Sequence, residues 1–300
     1  MAQFHIKNVL KWTAHHIGIV AGFLSTCSPQ GDKRYLQETI METASCGCTC
    51  LSDITRAALK LEHQRGENVI YQASLMSALL SGVYEGETTI RQLLDHGDFG
   101  LGTFNHLDGE MIAFNSHVFQ LRSDGTARPA QAEQKTPFAV MTFFNPTHEY
   151  TITTPHTREQ IHQIIDEAIA SKNLFCALRI DGHFDKADTR TVPEQQRPYK
   201  PMMQAVEEQP VFHFEHQDGV LVGFLTPDYM QGINVAGYHE HFINQQRSSG
   251  GHLLDYVIGE GRLTFGTIEK LVIDFPSDND FRHADLNPDD LSAAIQSVEG

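Results

Sequence analysis

Apolar positions along the chain follow two periods. In TREQIHQIIDEAIA (157–170), Ile161, Ile164, Ile165, Ala168 and Ile169 recur at the spacing of one helical face. Pro155 precedes the run, and Thr157 with Gln160 has the form of a capping box, so a helix is predicted. TTIRQLLDHG (88–97) predicts a shorter helix ending at Gly97. Elsewhere β-branched and aromatic residues dominate: EMIAFNSHVFQLRSDGTA, KTPFAVMTFF, NLFCALRIDGHF, QPVFHFEHQDGVLVGFL, HLLDYVIGEGRLTFG and KLVIDF read as strands, with Asp-Gly and Gly-rich steps as their turns. The mixture predicts an α+β fold of two packed β-rich units with a few helices. The longest polar, Pro-bearing stretch, RTVPEQQRPYKPMMQ (190–204), places a soft boundary between domains 41–195 and 196–300.

Composition narrows the function classes. Forty per cent hydrophobic and 20% charged residues indicate a globular chain. A formal net charge of −16 argues against nucleic acid or an anionic membrane as partner, since both need basic surface. Five cysteines, three of them clustered as Cys46, Cys48 and Cys50, do not make a disulfide framework and point to a reducing, cytoplasmic setting. No apolar run reaches the roughly 18 residues of a spanning helix. Residues 1–40 differ from the rest: Lys7, Lys11, Lys33 and Arg34 outnumber Asp32 and Glu38 there. They are expected to be a leader, a signal or a non-native extension. IGIVAGFLSTC (17–27) has the length of a signal core, which makes export the alternative to a cytoplasmic location. A later start at Met41 competes with it, because Gln37-Glu38 can be encoded as a ribosome-binding sequence just upstream.

Candidate chemistry gathers in GYHEHFINQQRSSGGHLLDY (237–256), with His239, His241 and His252. Spacing alone is weak: with 17 His in 300 residues, a pair at i and i+2 is expected about once by chance. On a strand, however, His239 and His241 share a face, about 6.6–6.8 Å apart, and Glu240 points to the other. RSSGG permits a turn, and His252 opens the next strand. Three imidazoles with a vacant fourth position form the catalytic zinc pattern; the competing reading is three surface or core histidines. HExxH is absent, and FINQQRSSGG lacks the Glu of a cupin. The Cys46, Cys48 and Cys50 cluster has only three thiols and reads as incidental rather than as a thiolate site. GDFGLGTFNHLDGEMIAF (97–114) matches neither a phosphate loop nor a dinucleotide fingerprint. It reads as tight turns feeding a hairpin, with Glu110 at a strand start and solvent-exposed by default.

Several long motifs carry a family resemblance. YQASLMSALLSGVYEGETTIRQLLDHGDFGLGTFNHLDGEMIAF, LRSDGTARPAQAEQKTPFAVMTFF, NLFCALRIDGHF with TRTVP, and GINVAGYHEHFINQQRSSGGHLLDY are similar to α-acetolactate decarboxylases, from about Val69 to the C-terminus. The resemblance implies Zn2+ on His239, His241 and His252, with Glu110 and Arg190 beside the metal and Thr103 lining the pocket. It also implies a C-terminal glutamate reaching back, for which Glu299 is the best match. Two β-rich domains with the site between them are expected, the C-terminal one a small barrel-like unit, assembled as a homodimer. The implied reaction turns the small molecule acetolactate into chiral acetoin and CO2, in acetoin and butanediol biosynthesis. Glu110 is the first candidate for proton donor and Glu299 the second. From the ligands alone, a zinc hydrolase using a metal-bound hydroxide and a non-catalytic metal-binding protein stay open. A chain beginning at Met41 is expected to express as soluble, active protein, as a solubility and activity assay would show. A native product lipidated at Cys27 would contradict that expectation.

Overall fold

Strand formation dominates because β-branched and aromatic residues recur at period two over most of the length. The computed structural model describes residues 68–207 and 209–299. The leader expected at 1–40, Met41 and the Cys46, Cys48 and Cys50 cluster lie outside them. The described residues fall within one compact unit, Leu61–Gly300.

The first sheet comprises β1 (Val69–Ala73), β3 (Phe99–Thr103), β4 (Glu110–Phe114), β5 (His117–Leu121), β6 (Ala127–Pro129), β8 (Ala139–Thr142) and β15 (Lys270–Asp274). Its order is β15-β1-β8-β3-β4-β5-β6, antiparallel except for the parallel β15–β1 pair. Two short strands, β2 (Thr88–Thr89) and β7 (Lys135–Thr136), form a separate ribbon. The β4–β5 hairpin turns at Asn115 and Ser116, both with positive φ, a primed turn that matches strand twist.

The second sheet is built on three long strands, β11 (Phe175–Arg190), β12 (Val211–Thr226) and β14 (Gly250–Ile268), with β13 (Gly237–Asn244) and the short β9 (His148–Ile152) and β10 (His156–Thr157). Strand β13 pairs with β12 and returns to β14, so β14-β11-β12-β13 closes on itself as a small barrel. The barrel-like C-terminal unit read from the sequence is thus present. Its sheet, though, starts upstream of the polar stretch 190–204. Strand β11 pairs along its length with β12 and β14, while β15 joins the first sheet, so the sheets do not divide at residue 195.

Two local expectations are corrected. Asp181-Gly182, Asp218-Gly219 and Gly259-Glu260-Gly261 are not turns: Gly182 stands opposite both Gly219 and Gly261 inside continuous strands. A Cβ at Gly182 would lie 2.3 Å from the Glu260 carbonyl oxygen, and one at Gly219 2.4 Å from the Phe242 ring. These glycines permit close approach rather than chain reversal. Likewise the helix expected to run to Gly97 is α2 (Ile90–Leu94), following α1 (Met76–Leu80). Gly97 is there because β8 passes beside it, with the Thr142 backbone 2.6 Å from where a Cβ would sit.

Three apolar layers result. Ile70, Leu101, Ile112 and Val140 of the first sheet meet Val220, Val222, Phe224 and Ile243 of the second. The first sheet's other face packs Met111, Ala113 and Met141 with Ile90 and Leu93 of α2. Inside the barrel, Leu178, Ile180, Phe184, Phe242 and Leu263 receive Ile161, Ile165 and Ile169 from the α3 region. Helix α3 (Arg158–Ala168) starts at the expected Thr157–Gln160 capping box. Short helices α4 (Met202–Ala205), α5 (Asn279–His283) and α6 (Leu291–Glu299) complete the described chain.

Helix α3 is also tied to β13 by charge. Glu240 is fully buried on the face away from His239 and His241, and Arg158 Nε donates to its Oε2 at 2.8 Å. His162 Nε2 lies 3.1 Å from both carboxylate oxygens. Burial alone would raise the Glu240 pKa, but His162 and Arg158 outweigh it and hold the carboxyl below its ordinary value. Removing one partner of a buried pair leaves an uncompensated charge. Arg158→Ala is therefore expected to cost roughly 3–5 kcal/mol of stability, read as a fall in the urea midpoint.

Candidate metal and active site

Alternation along β13 puts His239 and His241 on the face turned toward the first sheet. The hairpin through residues 245–249 then brings β14 alongside, with His252 directly opposite His241. All three imidazoles are buried, and their ligating nitrogens lie within 4.8 Å of one another. The His239 and His241 Nε2 atoms are 3.2 Å apart. His241 Nδ1 lies 2.7 Å from the Met111 carbonyl oxygen on β4; with the proton on Nδ1 it donates there and turns the Nε2 lone pair inward.

Protonation is suppressed as ligation requires. Burial lowers the His241 pKa to about 4, assisted by the positive charge of Arg190 and opposed by the Met111 carbonyl. His239 and His252 are held well below the ordinary value by burial first, then by neighbouring histidines and by Arg190 and Arg158. Three neutral, convergent imidazoles fit a divalent metal such as zinc without neutralising its charge.

The other sequence candidates distribute as follows. Glu110 opens β4, yet it is buried rather than exposed, because the barrel packs over the end of the first sheet. Its Oε2 lies 3.8 Å from His241 Nε2. Since His241 is neutral, this approach is a polar contact and not an ion pair. Thr103 faces Glu110 across the β3–β4 pair and donates from Oγ1 to the Gly109 carbonyl at 2.7 Å. The connecting loop carries His106, Leu107 and Gly109 at positive φ, a tight reversal that sets both residues at one sheet end. Thr103, Glu110 and His239 line one small cavity with Leu107, Phe138 and Met202. Arg190 ends β11 opposite His252, and its Nη2 donates to the Val298 carbonyl of α6. Glu299 ends that helix, and its side chain lies outside the described atoms. Larger grooves of about 510 and 800 Å³ lie elsewhere, at α3 and at the distal rim of the barrel; convergent chemistry, not size, marks the site.

Comparison with known proteins bears on the same arrangement. The family model described as alpha-acetolactate decarboxylase matches residues 70–288. The chain belongs to the α-acetolactate decarboxylase family. It is 60% identical over 260 residues to the alpha-acetolactate decarboxylase of Klebsiella aerogenes, covering 87% of this chain and 99% of that one. It is also 60% identical to that of Raoultella terrigena, covering 84% and 97%. The crystal structure of the Bacillus subtilis strain 168 enzyme superposes with a TM-score of 0.76 at 46% identity, covering 77% and 99%. The matched span includes both strands that carry the three histidines.

Sequence reasoning missed four contributors. The Met111 carbonyl carries no residue-type signal, and neither does that of Val298. Arg158 and His162 did leave one: two basic side chains at i and i+4 beside the isoleucine face of the helix. Losing an outer partner of a ligand typically costs roughly 10–100-fold in metal affinity. Removing an inner donor should cost more, so His241→Ala is expected to lose metal at this site beyond that range, measured by chelator competition.

Proposed function

We propose that this chain catalyses zinc-dependent decarboxylation of 2-acetolactate to chiral acetoin and CO2, as a cytoplasmic homodimer serving acetoin and butanediol formation. The observation that carries the reading is three buried neutral imidazoles converging beside Glu110, 3.8 Å from His241. His239, His241 and His252 hold the zinc. When bound, zinc supplies Lewis acidity and positive charge at the ketone that receives the electron pair.

The protein's own groups do the rest. Arg190 orients the substrate carboxylate; its positive charge, next to His252 in register, recruits an anion to an otherwise acidic chain. Holding the carboxylate too tightly would stabilise the ground state, so the useful part of this interaction is positional. Thr103 and the apolar walls of Leu107 and Phe138 exclude water from the reacting carbons. As the C–CO2 bond breaks, its electron pair passes toward the ketone, leaving an enediolate. Glu110, in its acid form, delivers a proton to the carbon that lost CO2, on one face, and so sets the chirality. Glu299 is the second candidate for that step.

Purified zinc-loaded protein given racemic acetolactate is expected to release CO2 and one acetoin enantiomer in excess. No CO2 release would overturn the reading. Glu110→Gln preserves shape and removes the proton, so zinc content should stay at the wild-type level while acetoin formation falls about 10²–10⁴-fold. The residual acetoin should be partly racemic. Full rate with full enantiomeric purity would exclude Glu110 and move the role to Glu299.

A further inference from the structure

A second group of histidines and carboxylates lies on the barrel away from the catalytic cavity. Strand β11 presents His183 and Asp185 on one face, and β12 presents Asp218 opposite His183. His216 follows at the next same-face position of β12, beside Asp185. One donor each from His183, Asp185 and His216 lies within 4.8 Å of the others. None of these residues belongs to the proposed reaction.

Three features make this more than a chance surface cluster. His183 Nδ1 lies 2.8 Å from Asp218 Oδ1, and since a carboxylate only accepts, the ring proton sits on Nδ1 and leaves Nε2 as a donor atom. That is the carboxylate–histidine arrangement that fixes metal-ligating imidazoles. Gly259 on β14 leaves the space into which Asp185 sets its carboxylate: a Cβ there would lie 2.6 Å from Oδ1. His216 stands at φ +50° within a strand, an uncommon conformation for a non-glycine residue and one that redirects its ring. The surrounding charge is also negative. Asp181 is paired with Arg179 at 2.7 Å, whereas among the described residues the ion-pair contacts of Asp185 and Asp218 are to His216 and His183, and Glu260 stands opposite His183 on β14.

We propose that His183, Asp185 and His216 form a second site for a divalent transition cation, with Asp218 as the outer partner of His183. Two imidazoles and a carboxylate suit zinc, nickel or copper rather than calcium or magnesium. Donors bonded at about 2.0–2.1 Å sit closer together than 4.8 Å, so binding draws the three side chains inward. They are half-exposed to exposed, which leaves them free to rotate. The cation would clamp β11 to β12 at the rim of the barrel.

The test is Zn2+ titration of metal-stripped full-length protein, with the bound equivalents counted after dialysis. His183→Ala and His216→Asn, the latter chosen because Asn tolerates positive φ, should each lower the count by one and leave decarboxylation unchanged. Asp218→Asn should weaken that equivalent roughly 10–100-fold. The same loss should appear when His183→Ala is added to His241→Ala, so the outcome does not depend on whether the catalytic histidines hold metal. His283→Ala, at an exposed histidine elsewhere, should change nothing. An unchanged count in His183→Ala and His216→Asn, or an equal loss in His283→Ala, would overturn the proposal.

Discussion

Return of β13 onto β14 is the constraint on which the rest of the site depends. That pairing sets His252 against His241, and packing of this face on the first sheet buries the three rings and keeps them neutral. Pairing therefore supplies the geometry, and burial the protonation state.

Burial of so much polar chemistry requires compensation on both faces of β13. On the face toward the first sheet, the Met111 carbonyl accepts from His241, so the first sheet orients an imidazole carried by the second. On the opposite face, Glu240 is matched by Arg158 and His162 of α3. Buried ion pairs contribute little net stability against an apolar alternative, but breaking one is expensive. The pair therefore acts to specify which face of β13 turns toward the first sheet. A slip of one residue would turn the histidines toward α3 and set the carboxylate, without Arg158 and His162, against the first sheet.

The two sheets contribute different parts of the site. The three convergent histidines come from the closed barrel, while Glu110 and Thr103 come from a sheet end shaped by a loop with three positive-φ residues. Arg190 joins β11 to α6 through the Val298 carbonyl, so the last helix is held next to the histidines. In the proposed reaction, this division lets the proton donor be altered without disturbing metal binding.

Local features were legible in the sequence because they depend on neighbours along the chain. The capping box of α3, the strand character of 237–244, the shared face of His239 and His241 and the opposite orientation of Glu240 all follow from periods of 3.6 and 2. The long shared motifs also carried the family. What sequence could not decide depends on residues far apart in the chain. Gly182, Gly219 and Gly261 read as turns, since nothing local distinguishes a glycine that reverses the chain from one that lets two strands touch. Glu110 read as exposed, because the barrel residue beside it, His239, lies more than a hundred residues downstream. The facing of His252 and His241 was legible as two adjacent strands joined by RSSGG, but the carbonyl that selects the His241 tautomer arrives only once the two sheets have packed: main-chain groups have no residue identity to read, and tertiary packing alone brings them into place.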